Sequence, residues 1–334
     1  MAPVPPGAAS CGLPSARPND RQGGILDERP PKRVGSIDQE PGGVNLVIQS
    51  VGFGLVTASV LALASVGLTL QFGVTNYINF AYGTYLVLAA YFAMALSTRA
   101  HLPFLLAAVL ACLAMGVVAV AIAKGVMQHF VSRQAPLFYL LIVTFGLSLI
   151  IENLVQAIWG PGFQTYNLAV GSPLNLGPFS LTPTQLIIIG LAVVAMVAIH
   201  LMLSRTSLGK AMRAMSDNKD LAQVSGIDTE RITTWTWFIT GCLAGLAGIA
   251  LTVTTVSFNP TSADSFLFVI FAAVILGGIG RPYGAMAAAA ILGIVTEVSA
   301  VVVSSTYKDD IAFVALVVVL LIRPQGLIAT RGKA

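Results

Sequence analysis

Charge is scarce in this sequence. Asp, Glu, Lys and Arg make up 10% of its 334 residues against 56% hydrophobic, and the mean hydropathy is +0.85. A soluble globular surface is not built from so little charge, so that class is excluded. Cysteine is scarce as well, three residues with no disulfide framework. Cys112 and Cys242 lie inside apolar runs and read as small packing residues, whereas Cys11 sits in a polar tail with no apolar stretch before it. The histidines His101, His129 and His200 fall at separate run ends without metal-ligand spacing. Gly277 to Gly284 follows an apolar run rather than a strand, which rules out a dinucleotide fingerprint. Ser207-Leu208-Gly209-Lys210-Ala211 lacks the upstream glycine and following hydroxyl of a phosphate loop. The expectation is a chain with no catalytic residues, no cofactor, no metal and no nucleic-acid partner.

What the sequence has is long apolar runs, near 48–72, 76–98, 103–123, 137–159, 184–204, 232–255, 265–280, 284–304 and 311–323. They predict an all-α integral membrane protein, a polytopic bundle of 8–9 transmembrane helices in the lipid bilayer, the seventh and ninth runs being short. Small residues recur every four positions, as in Gly54, Ala58 and Ala62, in Gly241 and Gly245, and in Ala289 and Gly293. Such steps let helix backbones approach closely. Residues 1–43 are different, rich in Pro, Gly, Ser and balanced charge, and read as a disordered extension or a mis-placed start ahead of a membrane domain over 44–330.

One segment breaks the apolar pattern. Arg205 to Arg231 carries the bases Arg205, Lys210, Arg213, Lys219 and Arg231 and the acids Asp217, Asp220, Asp228 and Glu230. Placing it in the cytoplasm puts eleven Lys and Arg on that side of the bundle, and only Arg99 and Lys308 on the other once the tail is set aside. By the positive-inside rule the C-terminus is then cytoplasmic, and nine spans put the N-terminus outside. Leu208, Ala211, Met212 and Met215 form an apolar stripe on one helix face, expected to meet a partner. Asp217 caps a second short helix in this reading, with Asp220 in its first turn and Gly226 at its C-terminal end, while Asp228 caps the next span with Glu230 in its first turn.

Polar residues gather where the first span meets the second: Gln71, Thr75, Asn76, Asn79, Tyr82 and Thr84. Buried amides in a bilayer need partners or water, so the group reads either as a translocation path or as interhelical glue. Glu152 and Glu297 are the acids deep inside spans and are candidates for the same path. The uncharged loop 160–183 reads as a connector, a lid or a partner surface.

Three segments together resemble a known family. Gly67-Leu-Thr-Leu-Gln-Phe-Gly-Val-Thr-Asn-Tyr-Ile-Asn-Phe-Ala-Tyr-Gly83 is similar to the opening motif of branched-chain amino acid ABC permeases of the LivH type. Leu276-Gly-Gly-Ile-Gly-Arg-Pro-Tyr-Gly-Ala285, and Tyr307-Lys-Asp309 through Arg323-Pro-Gln-Gly-Leu327, resemble that family's C-terminal half. Asp220-Leu221-Ala222 followed by Gly226 looks like the ATPase-coupling loop of bacterial ABC importers, without its distal Leu-Pro. Tyr82 and Thr84 stand where the family commonly shows His and Glu. The resemblance covers about residues 45–330. It implies a non-enzymatic importer subunit in the bacterial inner (plasma) membrane. A second homologous permease, two cytoplasmic ATP-binding subunits and a periplasmic substrate-binding protein would be its partners. Branched-chain amino acids are the implied cargo. Urea, amide or aromatic-acid cargo remains open beside it, as does an ion-coupled secondary transporter using Glu152 or Glu297.

Overall fold

The first apolar run becomes one long helix, α1 (Gly43–Thr75), stopped by Asn76 in the left-handed region at φ 60°. Asn tolerates that conformation through its short polar side chain, and so ends the helix without a glycine. The structure, a computed structural model, describes residues 43–166, 172, 174–176, 179–262, 264–303 and 307–322. The expected disordered extension lies almost wholly outside the described residues, as do Arg323 to Leu327 and the C-terminal bases Arg331 and Lys333.

α2 runs Tyr82–Arg99 and α3 Phe104–Ile122, the latter continuing through a π-turn at Ala123–Met127 into α4 (Gln128–Ser132). Next come α5 (Leu137–Trp159), α6 (Pro183–Arg205), α7 (Ser207–Asp217), α8 (Lys219–Val224) and α9 (Thr229–Thr255). The chain closes with α10 (Asp264–Gly277), α11 (Pro282–Val302) and α12 (Lys308–Ile322). Short strands β1 (Gln164–Thr165), β2 (Leu174–Leu176), β3 (Phe179–Leu181) and β4 (Ser257–Phe258) pair antiparallel as β1 with β4 and β2 with β3.

Among the described residues, six helices are long and apolar enough to cross a membrane: Ile48–Thr75, Phe104–Ser132, Leu137–Trp159, Pro183–Arg205, Thr229–Thr255 and Pro282–Val301. Two shorter apolar helices, Asp264–Gly277 and Asp310–Val319, accompany them. The protein is thus an all-helical, polytopic membrane protein. Two expected boundaries shift. The second run does not begin a helix at 76, because Asn76 and the residues to Ala81 form a break before α2. The third run does not stop near 123, because the π-turn carries the helix on through Lys124.

Caps fix several helix starts. Thr182 and Gln185 form a reciprocal capping box on α6, with Pro183 in the first turn. Thr206 accepts from the Gly209 N–H at the start of α7, and Asp228 from the Arg231 N–H at the start of α9. α1, α2, α9, α10 and α11 form the centre. The expected small-residue steps sit at helix contacts, Gly54 and Ala58 of α1 against Gly293 and Ile294 of α11 and Gly241 of α9 against Gly116 of α3, and Gly248 of α9 likewise meets Leu86 of α2. A side chain at Gly248 or Gly293 would occupy space held by neighbouring backbone.

Candidate functional site

Three places along the bundle bring chemistry together. One end carries α7, α8, the start of α9 and the Gly278–Arg281 turn, since Gly73 of α1 and Ser216 of α7 lie beside Gly280. At this charged end α7 and α8 form a bent platform. Asn218, not Asp217, caps α8: Asp217 still belongs to α7, and the first extended residue is Asn218, whose side chain accepts from the Leu221 N–H at 3.0 Å. Asp220 lies in the first turn of α8 as expected. Gly226 ends the helix at φ 86°. There the Gly226 N–H donates to Gln223 O and the Ile227 N–H to Ala222 O, each at 3.1 Å, the paired closure of a Schellman motif.

The apolar stripe faces inward. Met212, Met215 and Ala222 are buried with Val74 of α1 in one cluster, against Ile227 and Ile232. The expectation that Met212, Met215 and Ala222 face a partner is therefore corrected, because this chain's own bundle covers them. The apolar side chains that α8 leaves in the open are Leu221, 64% exposed, and Val224, 87% exposed. A sequence stripe shows that a face is covered, not by what, and Val224 had no signal of its own.

The polar group between α1 and α2 divides in two. Gln71, Asn79, Tyr82 and Thr84 are buried together. The Asn79 amide donates to Gln71 Oε1 (3.4 Å), its own oxygen accepts from the Ala81 N–H (3.0 Å), and the Thr84 hydroxyl donates to Ala81 O (2.8 Å). Buried polar atoms here without a hydrogen-bond partner include Gln71 Nε2 and Tyr82 Oη. Gly67 leaves the room that the Tyr82 hydroxyl fills, next to Leu243 near the midpoint of α9. An unmet donor costs free energy in a dry core, and water or a polar solute would satisfy it. Thr75 and Asn76 do not join this group. Thr75 donates to Gln71 O within its helix and, with Tyr77 and Trp237, lines a cavity of about 440 Å³ at the charged end, while Asn76 is exposed.

The two intramembrane acids also part. Glu152 accepts from Gln156 one turn along α5. Glu297 of α11 accepts from the Thr57 hydroxyl of α1 and pairs with Lys308 at the start of α12. This pair lines a cavity of about 430 Å³ in the half of the bundle away from the platform. Lys308 counted only as a loop base in the sequence, because a span-by-span reading does not bring the start of one helix beside the middle of another. The same end carries an aromatic cluster. Tyr166 donates to Ala90 O at 3.0 Å and lies 3.1 Å from the Thr252 hydroxyl; its ring packs on Phe104 and Phe258, and Phe258 packs on Tyr91. Burial raises the Tyr166 hydroxyl well above its ordinary range, so it stays protonated. Among the described residues, no three His, Cys, Asp or Glu side chains group closely enough to hold a metal ion.

Residues 50–321 match the family described as branched-chain amino acid transport system / permease component. The chain belongs to this family. It is similar to the high-affinity branched-chain amino acid transport system permease protein LivH of Salmonella typhimurium, 29% identical over 84% of this chain and 95% of that relative. A probable LivH of Methanocaldococcus jannaschii is 28% identical over 84% and 91%. The ribose import permease protein RbsC of Escherichia coli is 30% identical over 80% and 83%. No solved structure matches the chain. Tyr82 and Thr84 lie in the buried polar group and not at the exposed rim. As a transport permease subunit of this family, the chain is not an enzyme.

Proposed function

We propose that this chain is one membrane subunit of an ABC importer that moves branched-chain amino acids across the bacterial inner membrane. Residues 44–330 form the permease domain and 1–43 an extension. α2, α10 and α12 cross the bilayer along with the six longer helices, so there are nine crossings, with the platform and the C-terminus in the cytoplasm and the start of α1 outside. The excess of Lys and Arg at the platform end supports that orientation. The subunit pairs with a second, related permease, two cytoplasmic ATPases that hydrolyse ATP, and a periplasmic substrate-binding protein.

The observation that carries this reading is α8. A short helix capped at both ends, braced from behind where its own Ala222 packs on Met212 and Met215, presents Leu221 and Val224 to solvent. An apolar pair exposed on a rigid mount suits a groove in a partner. Closure of the ATPase pair then moves the platform, and α7 passes the displacement to the end of α1 through Val74 and Gly73.

Leu221→Glu with Val224→Glu tests it. The variant should insert and fold as wild type, since both side chains lie outside the core, yet ATPase subunits should no longer co-purify in detergent and leucine uptake should fall to background. Normal uptake with ATPases retained would refute the coupling role.

A further inference from the structure

The cavity at the far end holds an ion pair that a purely structural reading leaves oddly placed. It is walled by α1, α9, α10, α11 and α12, with Gln185 of α6 at its edge. Its charged wall is Glu297 and Lys308, with Thr57, Thr254, Thr255 and Ser265 nearby; its apolar wall includes Val56, Val60, Leu251 and Val269. The pair is not sealed, since the Glu297 side chain is 17% exposed and that of Lys308 35%. A cation and an anion side by side, facing aliphatic side chains across a space of ligand size, match a molecule with one ammonium, one carboxylate and an aliphatic tail.

We propose that this cavity is a binding station for the zwitterionic head of a free aliphatic α-amino acid, an inference that rests on the importer function above. The α-ammonium takes the Glu297 carboxylate and the α-carboxylate takes the Lys308 ammonium, so one ion pair opens into two. The net charge of the site stays zero, which matters where isolated charge is expensive. The side chain lies along Val56, Val60, Leu251 and Val269. An uncharged solute such as urea or a sugar would have to break the pair without replacing either charge. A simple carboxylic acid would replace only one.

The test uses the complex of both permeases and both ATPases in lipid nanodiscs, without binding protein, so that selectivity is read from the membrane subunits. Bound tritiated L-leucine is competed with leucinamide, which lacks the carboxylate, and with 4-methylpentanoate, which lacks the ammonium. Wild type should prefer leucine over each by at least about tenfold, the scale of one charge-assisted contact. Glu297→Gln should erase the preference over 4-methylpentanoate, and Lys308→Gln the preference over leucinamide. Val56→Phe leaves the ion pair alone, so it decides the matter should either charge variant fail to assemble: it should weaken leucine relative to alanine. Unchanged preferences in these variants, with leucine uptake intact, would overturn the station and leave the importer standing. Absence of leucine uptake by the complete wild-type importer would overturn the cargo, and the station with it.

Discussion

The central helices α1 and α9 and the perimeter helices α5 and α6 draw on the same apolar residues and differ in where they place small ones. In α1, 67% of the membrane window is buried inside the protein, and in α9 56%; in α5 and α6 it is 22%. Gly54 and Ala58 of α1, and Gly241, Gly245 and Gly248 of α9, meet neighbouring helices at backbone distance. α5 and α6 instead carry large side chains outward, among them Phe138, Phe145, Ile150, Val194 and Leu201. Hydrophobicity therefore does not distinguish the centre from the rim in a bilayer, where lipid is as apolar as leucine; close approach does. The charged platform follows the same rule at its scale, since Gly209 of α7 packs on the backbone of Met202 and Leu203.

The largest effect should come from breaking a seam. Gly248→Leu puts a branched side chain where the Leu86 backbone of α2 already stands, and Gly293→Leu does the same against Ala58 of α1. Neither clash is with a flexible side-chain tip, so the helices must separate. Overpacking of a dense core typically costs about 1–3 kcal/mol and more when backbone must move. Size-exclusion profiles of the detergent-extracted chain should show loss of the monodisperse species. A normal profile for both variants would mean that the centre is not close-packed.

What could be read in advance divides along the same line. The caps at Asp228 and Gly226 and the small-residue steps were legible because each is a local pattern with one physical cause: an orphaned backbone group, a left-handed residue, or a missing side chain. The facing of Met212, Met215 and Ala222 was not, because helical periodicity gives a covered side without naming the cover. The break at Asn76–Ala81 was hidden by its apolar residues, which continue the hydropathy of the run through a stretch with no helix. Glu297 was visible as a lone intramembrane acid, but Lys308 and Thr57 reach it only through the packing of three helices.

An intermediate effect should separate pathway from glue in the buried polar group. Gln71→Met keeps the volume and removes an amide nitrogen that has no partner, at the loss of one long hydrogen bond from Asn79. Losing an unmet donor offsets much of that loss, so thermal stability should change by less than about 1 kcal/mol. If the group lines the path, leucine uptake by the assembled importer should nevertheless fall about tenfold, because the solute loses an amide it would have met. Intact uptake with a marked drop in stability would assign Gln71 to interhelical adhesion.

The smallest effect belongs to the rim, and it separates a face toward lipid from a face toward a subunit. Gly146 of α5 and Gly190 of α6 have nothing within 4 Å of an added side-chain carbon. Alanine is the better helix former, by up to about 1 kcal/mol in a helix interior. Gly146→Ala and Gly190→Ala should therefore leave the melting temperature of the isolated chain unchanged or slightly raised, the reverse of the seam variants. The assembled importer makes the comparison sharper. If one of these glycines is where the second permease comes close, its alanine variant should still fold alone but should recover less of that permease on co-purification. A rim helix whose variant retains its full complement of partners faces lipid. Destabilisation of the isolated chain by either alanine would show that the perimeter helices pack as tightly as the centre, and would remove the distinction between them.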